Sequence, residues 1–309
     1  MLDVEQRTST VALVLVTFNR SSLLLDALKS ISAMTVRPDA VYIIDNNSTD
    51  DTYSIVSEFI TQYPESGVVY YNTGYNSGGA GGFKIGSELV YNLGFDYIWL
   101  ADDDIEFDAN CYANAKPYLN EDTIIQPMRY NMDGSCAEIS AVTYDLANPF
   151  YMRPKRKTVS DIYSPVNDSY DLKSIPFEGP IIHRSIFERI GFPDERFFIF
   201  NDDLDFALRA MAVGVSIKCI TKSKIFRKIP FNQSIALKTW KGYFMFRNYF
   251  RIQISYGKKP LIYLRIGFVY IVAMLHSLAH ADFKGIRMLS HAFRDGISSD
   301  FLLNKKYLP

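Results

Sequence analysis

VALVLVTFNRSSLLLDALKSISAM, residues 11–34, decides the fold. Residues 11 to 18 form a β-branched, apolar run with too little polar alternation for a strand wetted on one face, so the run suits the middle of a covered parallel sheet. Asn19 and Arg20 break it. Leu24, Leu28 and Ile31 then recur at helical spacing behind a serine N-cap. A buried strand that ends in polar residues and feeds an amphipathic helix is the first half of a βαβ unit.

Working outward, the pattern repeats. VYIIDNNSTDD (41–51) is a second apolar strand with a polar end, and Thr52 to Tyr63 reads as a second helix. VVYYN (68–72), the glycine-rich NSGGAGGFKIGSELVYNLG (76–94) and YIWLADDD (97–104) supply a third strand, a third helix and a fourth strand. Strand and helix alternating at this spacing imply parallel strands joined by right-handed crossovers, hence an α/β fold with a mostly parallel sheet flanked by helices. Ligands of such sheets bind beyond the carboxyl ends of the strands. Three of those ends are polar here, Thr17 to Arg20, Asp45 to Ser48 and Asp102 to Asp104, and their convergence predicts one cleft ringed by carboxylates and amides.

Beyond residue 144 the periodicity fades. Residues 145–175 contain RPKRKT and three prolines and read as a loop or lid. FEGPIIHRSIFERIGF (177–192) and FFIFNDDLDFALRAMAVG (197–214) follow as strand, helix, loop and helix. From Trp240 the chain turns aromatic and basic, which predicts a catalytic α/β domain over 1–240 and a helical unit over 241–309.

Composition narrows the partners. A length of 309 residues with 48% hydrophobic and 22% charged residues describes a globular chain able to bury a large core. A net charge of -1 gives no global attraction for nucleic acid, so an anionic partner has to be met by local donors. The aromatic share of 15% is suited to carbohydrate or membrane-surface contacts. Three cysteines without CxxC spacing argue against a disulfide framework or a zinc site and for a reducing cytosol. The opening MLDVEQRTST has no apolar stretch and is not read as a signal peptide.

Two acidic clusters carry the chemistry. In WLADDDIEFD (99–108), Asp102 and Asp104 can turn to one side of a strand end and ligate Mg²⁺ or Mn²⁺, whose other positions take diphosphate oxygens; the alternative is a solvated acidic turn capping a helix. Asn76 to Gly86 opens a helix with five glycines, which either permits close approach of an anion to helix amides or makes a tight-packing turn. FNDDLDFALRA (200–210) sets Asp202, Asp203 and Asp205 at the start of an amphipathic helix, where a general base is one reading and a helix cap the other. The four histidines show no metal spacing; His276 and His280, one turn apart on an apolar segment, read as packing or interfacial residues.

Taken together, TFNR, IIDNNSTDDT, NSGGAGGF, WLADDD, FEGPIIHR, FFIFNDDLDFALR and FRNYF, in order over residues 10 to 255, resemble the family 2 glycosyltransferases of the GT-A fold, and most of all bacterial galactofuranosyltransferases, with dTDP-rhamnosyltransferases close behind. The resemblance implies an inverting hexosyltransferase that moves a sugar from a nucleotide diphosphate to a cell-surface glycan. Thr17, Phe18, Arg20 and Asp45 would contact the nucleotide, with Asn76, Gly81, Gly82 and Asp103 also on the donor side. Asp102 and Asp104 would serve the metal, Asp202 would deprotonate the acceptor hydroxyl, and Asp203 and Asp205 would orient acceptor hydroxyls. Two positions depart from the galactofuranosyltransferase pattern: Asn201 stands where a tryptophan is usual, and residues 184–275 hold no histidine to complete a metal site. A nucleotide-sugar-binding protein without catalysis is the rival of another class.

LIYLRIGFVYIVAMLHSLAHA (261–281) is long enough to cross a membrane but is interrupted by Arg265, His276 and His280. It reads as an amphipathic helix. With Lys258, Lys259, Arg265, Lys284 and Arg287 it would sit peripherally on the anionic inner face of the plasma membrane, beside a lipid-linked acceptor; a helical hairpin serving a homo-oligomer is the alternative.

Overall fold

The structure is a computed structural model that describes residues 9–151, 153–229 and 233–309. The N-terminal segment judged not to be a signal peptide lies almost wholly outside the described residues.

Three βα steps and a fourth strand come first: β1 (Val11–Thr17), α1 (Ser21–Ser32), β2 (Ala40–Asp45), α2 (Thr52–Gln62), β3 (Val68–Asn72), α3 (Gly78–Asn92) and β4 (Tyr97–Asp102). β5 (Ile105–Phe107), α4 (Cys111–Ala115), β6 (Thr123–Asn131), β7 (Ala141–Tyr144), β8 (Lys155–Thr158) and β9 (Ser169–Asp171) follow. The sheet-bearing part of the chain closes with β10 (Ile181–His183), α5 (Arg184–Ile190), α6 (Asp202–Ala212) and β11 (Ser216–Arg227). After α7 (Gln233–Leu237) come three longer helices, α8 (Lys241–Tyr256), α9 (Ile262–Ala279) and α10 (Phe283–Ile297).

The main sheet runs β3-β2-β1-β4-β10-β6-β11-β5, with β9 also on β11. β3, β2, β1 and β4 are parallel. β10 is antiparallel to both β4 and β6, so β6 regains the direction of β4, and β11 follows it in parallel. This is the mostly parallel sheet expected from the alternation of strands and helices.

The unbroken apolar run of β1 has a direct cause. Ala12, Val14 and Val16 face a core shared with Phe83 and Val90 of α3 and with Phe206 and Ala210 of α6. Val11, Leu13 and Leu15 face the opposite core, made with Leu24, Leu28 and Ile31 of α1 and Val56 and Phe59 of α2. Both faces are dry, so no polar alternation survives. Each fully buried aliphatic side chain here contributes about 1.5–3 kcal/mol relative to exposure.

Two local expectations are corrected. No serine caps α1: Arg20 holds the N-cap position without a side-chain bond, and the Ser21 N–H donates to Asp50 Oδ2 of the neighbouring loop at 3.0 Å. Residues 145–175 are more ordered than a lid, since β8 pairs with β7 and β9 adds to the main sheet. β8 is largely exposed and has no apolar face to register in the sequence.

The C-terminal helices are not loosely appended. α8 contributes Ile252 to a cluster with Ala80, Phe197 and Leu204, and Tyr243 and Phe244 to another with Phe198, so they share cores with the glycine-rich turn and the loop before α6.

Candidate active site

The parallel register brings the polar strand ends to one rim. Thr17 pairs with Asp45, Asp45 with Asn72, and Val16 with Asp102. Two positive-φ residues turn the chain back over this rim, Asn19 at 52° and Asn47 at 63°. Asparagine tolerates that left-handed conformation better than most side chains. The two loops are tied together: the Asn19 N–H donates to Ser48 Oγ at 2.8 Å, and Asn19 Oδ1 accepts from the Thr49 N–H at 2.7 Å.

The acids of WLADDD divide by direction. Asp103 turns inward, 2% exposed, and accepts from Thr17 Oγ1 at 2.7 Å and from the Arg20 guanidinium at 3.0 Å. Burial nevertheless pushes its carboxyl up to about 6. Arg20 reaches on to Asp104 at 3.0 Å. Asp102, half-buried, has no hydrogen-bond or ion-pair partner among the described residues, and burial, then Asp104, Glu178 and Asp103, push its carboxyl well above the usual range. Arg20 offsets Asp103 and Asp104, and Arg227 also acts on Asp104, so the imbalance of negative charge falls on Asp102.

That imbalance is the observation against which a divalent cation can be tested. The residues fit a cation that shares its shell with ligand oxygens, because Asp102 and Asp104 are partly accessible and one lacks a partner. They do not form a cage: no group of three or more metal-binding side chains occurs among the described residues. A hard, oxygen-ligated ion such as Mg²⁺ or Mn²⁺ commonly keeps several waters or substrate oxygens in this way.

Asp45, 1% exposed, accepts from Ser48 N–H and Oγ through one oxygen and from Tyr70 O–H, at 2.5 Å, through the other. Phe18 is half-buried beside it along the rim. The glycine-rich turn needs a correction. Gly81 and Gly82 are buried, and an added Cβ on Gly82 would stand 2.6 Å from Val16 Cγ1, while one on Gly81 would stand 2.5 Å from Ser77 Cβ. Gly82 lets α3 lie close on β1 and Gly81 lets the turn at Ser77 close on the helix, so tight packing accounts for both glycines. Asn76 accepts from the Gly78 N–H at 2.9 Å, and Ser77 Oγ donates to Asn46 at 2.6 Å, which fixes the turn against the end of β2.

The second acidic cluster opens α6. Asp202 is 6% exposed, and burial and then Asp203 raise its carboxyl well above the usual carboxylate range. Burial lifts Asp203 to about 6. Asp205 departs from its expected role. One oxygen accepts from Arg209 Nε at 2.8 Å and the other from Tyr256 O–H at 2.6 Å. It lines a cleft of about 520 Å³ whose walls include none of Asp102, Asp103, Asp104, Asp202 or Asp203. Asp205 thus ties α6 to α8. Asn201 has φ 64° and ψ 1°, which accounts for asparagine where the family resemblance suggested tryptophan.

Glu178, whose role sequence reasoning missed, links the clusters. Its carboxylate raises Asp102 and Asp104 on one side and Asp203 on the other. It accepts from Arg129 at 3.1 Å and pairs with Arg227 at 2.9 Å, and Arg129 is in turn held by buried Glu138 at 2.7 Å. The signal was the FEGP stretch, where an acid sits between apolar residues just before a buried strand.

Comparisons with known proteins place the chain by family and fold. A family model described as "Glycosyl transferase family 2" matches residues 12–178. The chain is 27% identical over 221 residues to galactofuranosyltransferase GlfT1 of Mycolicibacterium smegmatis (strain ATCC 700084 / mc(2)155), covering 70% of each chain. It is 28% identical over 215 residues to galactofuranosyltransferase GlfT1 of Mycobacterium tuberculosis (strain ATCC 25618 / H37Rv), covering 67% of this chain and 66% of the relative. Among solved structures, mannosyltransferase PcManGT from Pyrobaculum calidifontis in complex with GDP-Man and Mn²⁺ superimposes with TM-score 0.57 at 15% identity, over 94% of this chain and 81% of that one. GalNAc-T7 with UDP, GalNAc and Mn²⁺ gives TM-score 0.57 at 15% identity, over 83% of this chain and about half (54%) of that one. The family match spans more than half of the chain and the fold agrees with it, so this protein belongs to glycosyl transferase family 2 and is a glycosyltransferase of the GT-A fold.

Proposed function

We propose that the enzyme transfers galactofuranose, with inversion, from UDP-galactofuranose to a growing cell-surface glycan. The observation that carries the reading is the pair of acidic clusters, Asp102 to Asp104 at the end of the parallel strand β4 and Asp202 and Asp203 at the start of α6. The relatives named as galactofuranosyltransferases support the donor.

In this reading the nucleotide lies along the rim of β1 and β2, against Thr17, Phe18 and Asp45, with Asn76 and Asp103 on the donor side. Asp45 presents its remaining lone pairs to the N3–H of the base, and Arg20 holds Asp103 and Asp104 in place. Asp102 and Asp104 hold the Mn²⁺ or Mg²⁺ ion, which, when bound, offsets the charge of the diphosphate leaving group. Asp202 takes the proton of the acceptor hydroxyl as that oxygen forms its bond to the anomeric carbon; the bond from that carbon to the diphosphate oxygen breaks on the opposite face and UDP departs. A base of raised pKa fits this task, since a carboxylate held above its ordinary range takes up a hydroxyl proton more readily than a solvated one. Asp203, partly exposed beside it, orients the acceptor.

The acceptor is proposed to be lipid-linked, with the enzyme peripheral at the inner face of the plasma membrane. α9 has mean hydropathy 1.7 over 18 residues, of which only 17% is buried. Leu261, Leu264, Phe268, Ile271, Leu275 and Leu278 form one exposed stripe, and exposed Lys258, Lys259, Lys284 and Arg287 flank it. Arg265 does not join that basic fringe, because it is 1% exposed and donates to Asp145 O at 3.1 Å and Gln253 Oε1 at 3.0 Å.

A thermal-shift screen with UDP, dTDP and their sugars in the presence of Mn²⁺ tests the donor. A ligand of the native state at about 100 times its Kd adds about 2.7 kcal/mol of stability. UDP-galactofuranose is expected to give the largest shift. A larger shift with dTDP-rhamnose would replace the donor, and no shift with any nucleotide would remove the reading.

A further inference from the structure

FRNYF at 246–250 is a motif whose place in the reaction nothing above explains. Its Arg247 and Asn248 are both 0% exposed. The Asn248 side-chain amide donates to three carbonyls of one loop, those of Phe197 at 3.0 Å, Ile199 at 2.8 Å and Phe200 at 2.9 Å. Arg247 donates to a fourth, Arg196 O at 3.0 Å, and also to Asn248 Oδ1 at 2.8 Å, which orients the amide. Its other nitrogen is held by Phe301 O at 2.9 Å and Leu302 O at 3.0 Å in the C-terminal tail.

Four carbonyls of residues 196–200 cannot all point at one site from regular backbone. The loop reaches it by placing Phe198 at φ 64°, Phe200 at φ 68° and Asn201 at φ 64°. Phenylalanine is disfavoured there, and such conformations persist only where surrounding contacts over-determine them. The next residue is Asp202. On its opposite side the same loop touches the glycine-rich turn, where the Ala80 N–H donates to Phe198 O at 3.1 Å and a Cβ on Gly78 would stand 2.2 Å from that oxygen.

We infer that Arg247 and Asn248 are positioning residues for the reaction: from the C-terminal unit they hold the strained 196–201 loop, and so set where the carboxylate of Asp202 stands. The inference rests on the reading of Asp202 as base. It makes α8 part of the catalytic apparatus, although neither residue touches the acidic clusters.

The test is a double-mutant cycle on the full chain with UDP-galactofuranose and a synthetic galactofuranosyl-terminated acceptor, together with calorimetric binding of UDP and Mn²⁺. Asn248→Ala is expected to lower kcat about 10²-fold, the order associated with misplacing a catalytic group by an ångström, while UDP affinity and donor KM change less than about 3-fold. In an Asp202→Asn background the same substitution is expected to cost less than about 3-fold more, because the residue acts only through Asp202. Leu289→Ala, in the buried face of α10, is the stability control, and its kcat below the melting temperature is expected to match wild type. Arg247→Lys undergoes the same cycle if Asn248→Ala does not fold. Unchanged kcat, an equal loss in the Asp202→Asn background, or an equal loss in Leu289→Ala would each overturn the inference. Full turnover in Asp202→Asn alone would instead remove the base, and the proposed chemistry with it.

Discussion

Replacing Asp202 by asparagine is expected to move activity and stability in different directions. The side chain is 6% exposed, and burial followed by Asp203 holds its carboxyl well above the usual carboxylate range. The folded protein therefore binds this proton more tightly than the unfolded chain does, and stability falls as pH rises from the ordinary carboxylate value through the raised one. Above that window the full penalty of the buried charge is present. Asparagine keeps the shape of the side chain and removes the charge. It forfeits a favourable helix-dipole term of about 0.3–1 kcal/mol, which is smaller than the burial effect that dominates here. The variant's melting temperature above that window is expected to equal or exceed that of wild type, and the difference is expected to shrink as the pH falls below the ordinary carboxylate value, where both states are protonated. Turnover, by contrast, loses positioned base catalysis, about 10² to 10⁴-fold or about 3–5 kcal/mol of barrier, with donor affinity nearly unchanged. Initial rates, UDP calorimetry and melting curves on one preparation measure all three. Near-normal turnover with a lowered melting temperature would show that Asp202 only caps α6 and would refute its assignment as base.

Asp104→Asn is expected to abolish Mn²⁺-dependent turnover while the protein stays folded, because one charged ligand of the outer carboxylate pair is lost; a fully active variant in a metal titration sinks the metal assignment. Gly82→Ala is expected to destabilise the fold by about 1–3 kcal/mol in urea melts, since the new Cβ meets Val16 Cγ1 at 2.6 Å, whereas Gly79→Ala has open space and is expected to be tolerated. Leu264→Glu combined with Leu275→Glu is expected to release the protein from anionic vesicles in a sedimentation assay, and raised salt to weaken wild-type binding by screening the flanking lysines; undiminished binding of the double variant would show that the exposed stripe of α9 does not contact lipid.

Much of the fold was legible because its cause is local. A parallel strand covered on both faces has to be apolar at every position, and the helices between such strands have to carry one apolar stripe, so residues 11–104 show their architecture as composition and period. The donor-side acids were legible for the same reason: Asp102 to Asp104 interrupt an apolar strand at its carboxyl end, where open α/β sheets bind ligands. The glycine-rich turn was only half legible. Five glycines signal that something comes close to the backbone, but the signal is the same for a diphosphate and for Val16, and the packing of α3 on β1 decided for Val16.

The sequence alone thus determined the α/β alternation, the polar rim and the candidacy of Asp202, each a matter of neighbours within a few residues. Only the tertiary structure decided which acids are available. Asp205 looked equivalent to Asp203, yet Tyr256 and Arg209 occupy both of its oxygens. Alternation along the strand set Asp103 apart from Asp102 and Asp104, but only the fold shows that Thr17 and Arg20 occupy it. Glu178 and Asn248 acquired significance because chain folding brings residues 48 to 51 positions apart into bonding distance. Burial, partner choice and raised pKa are properties of the environment that distant segments create, and no periodicity along the chain records them.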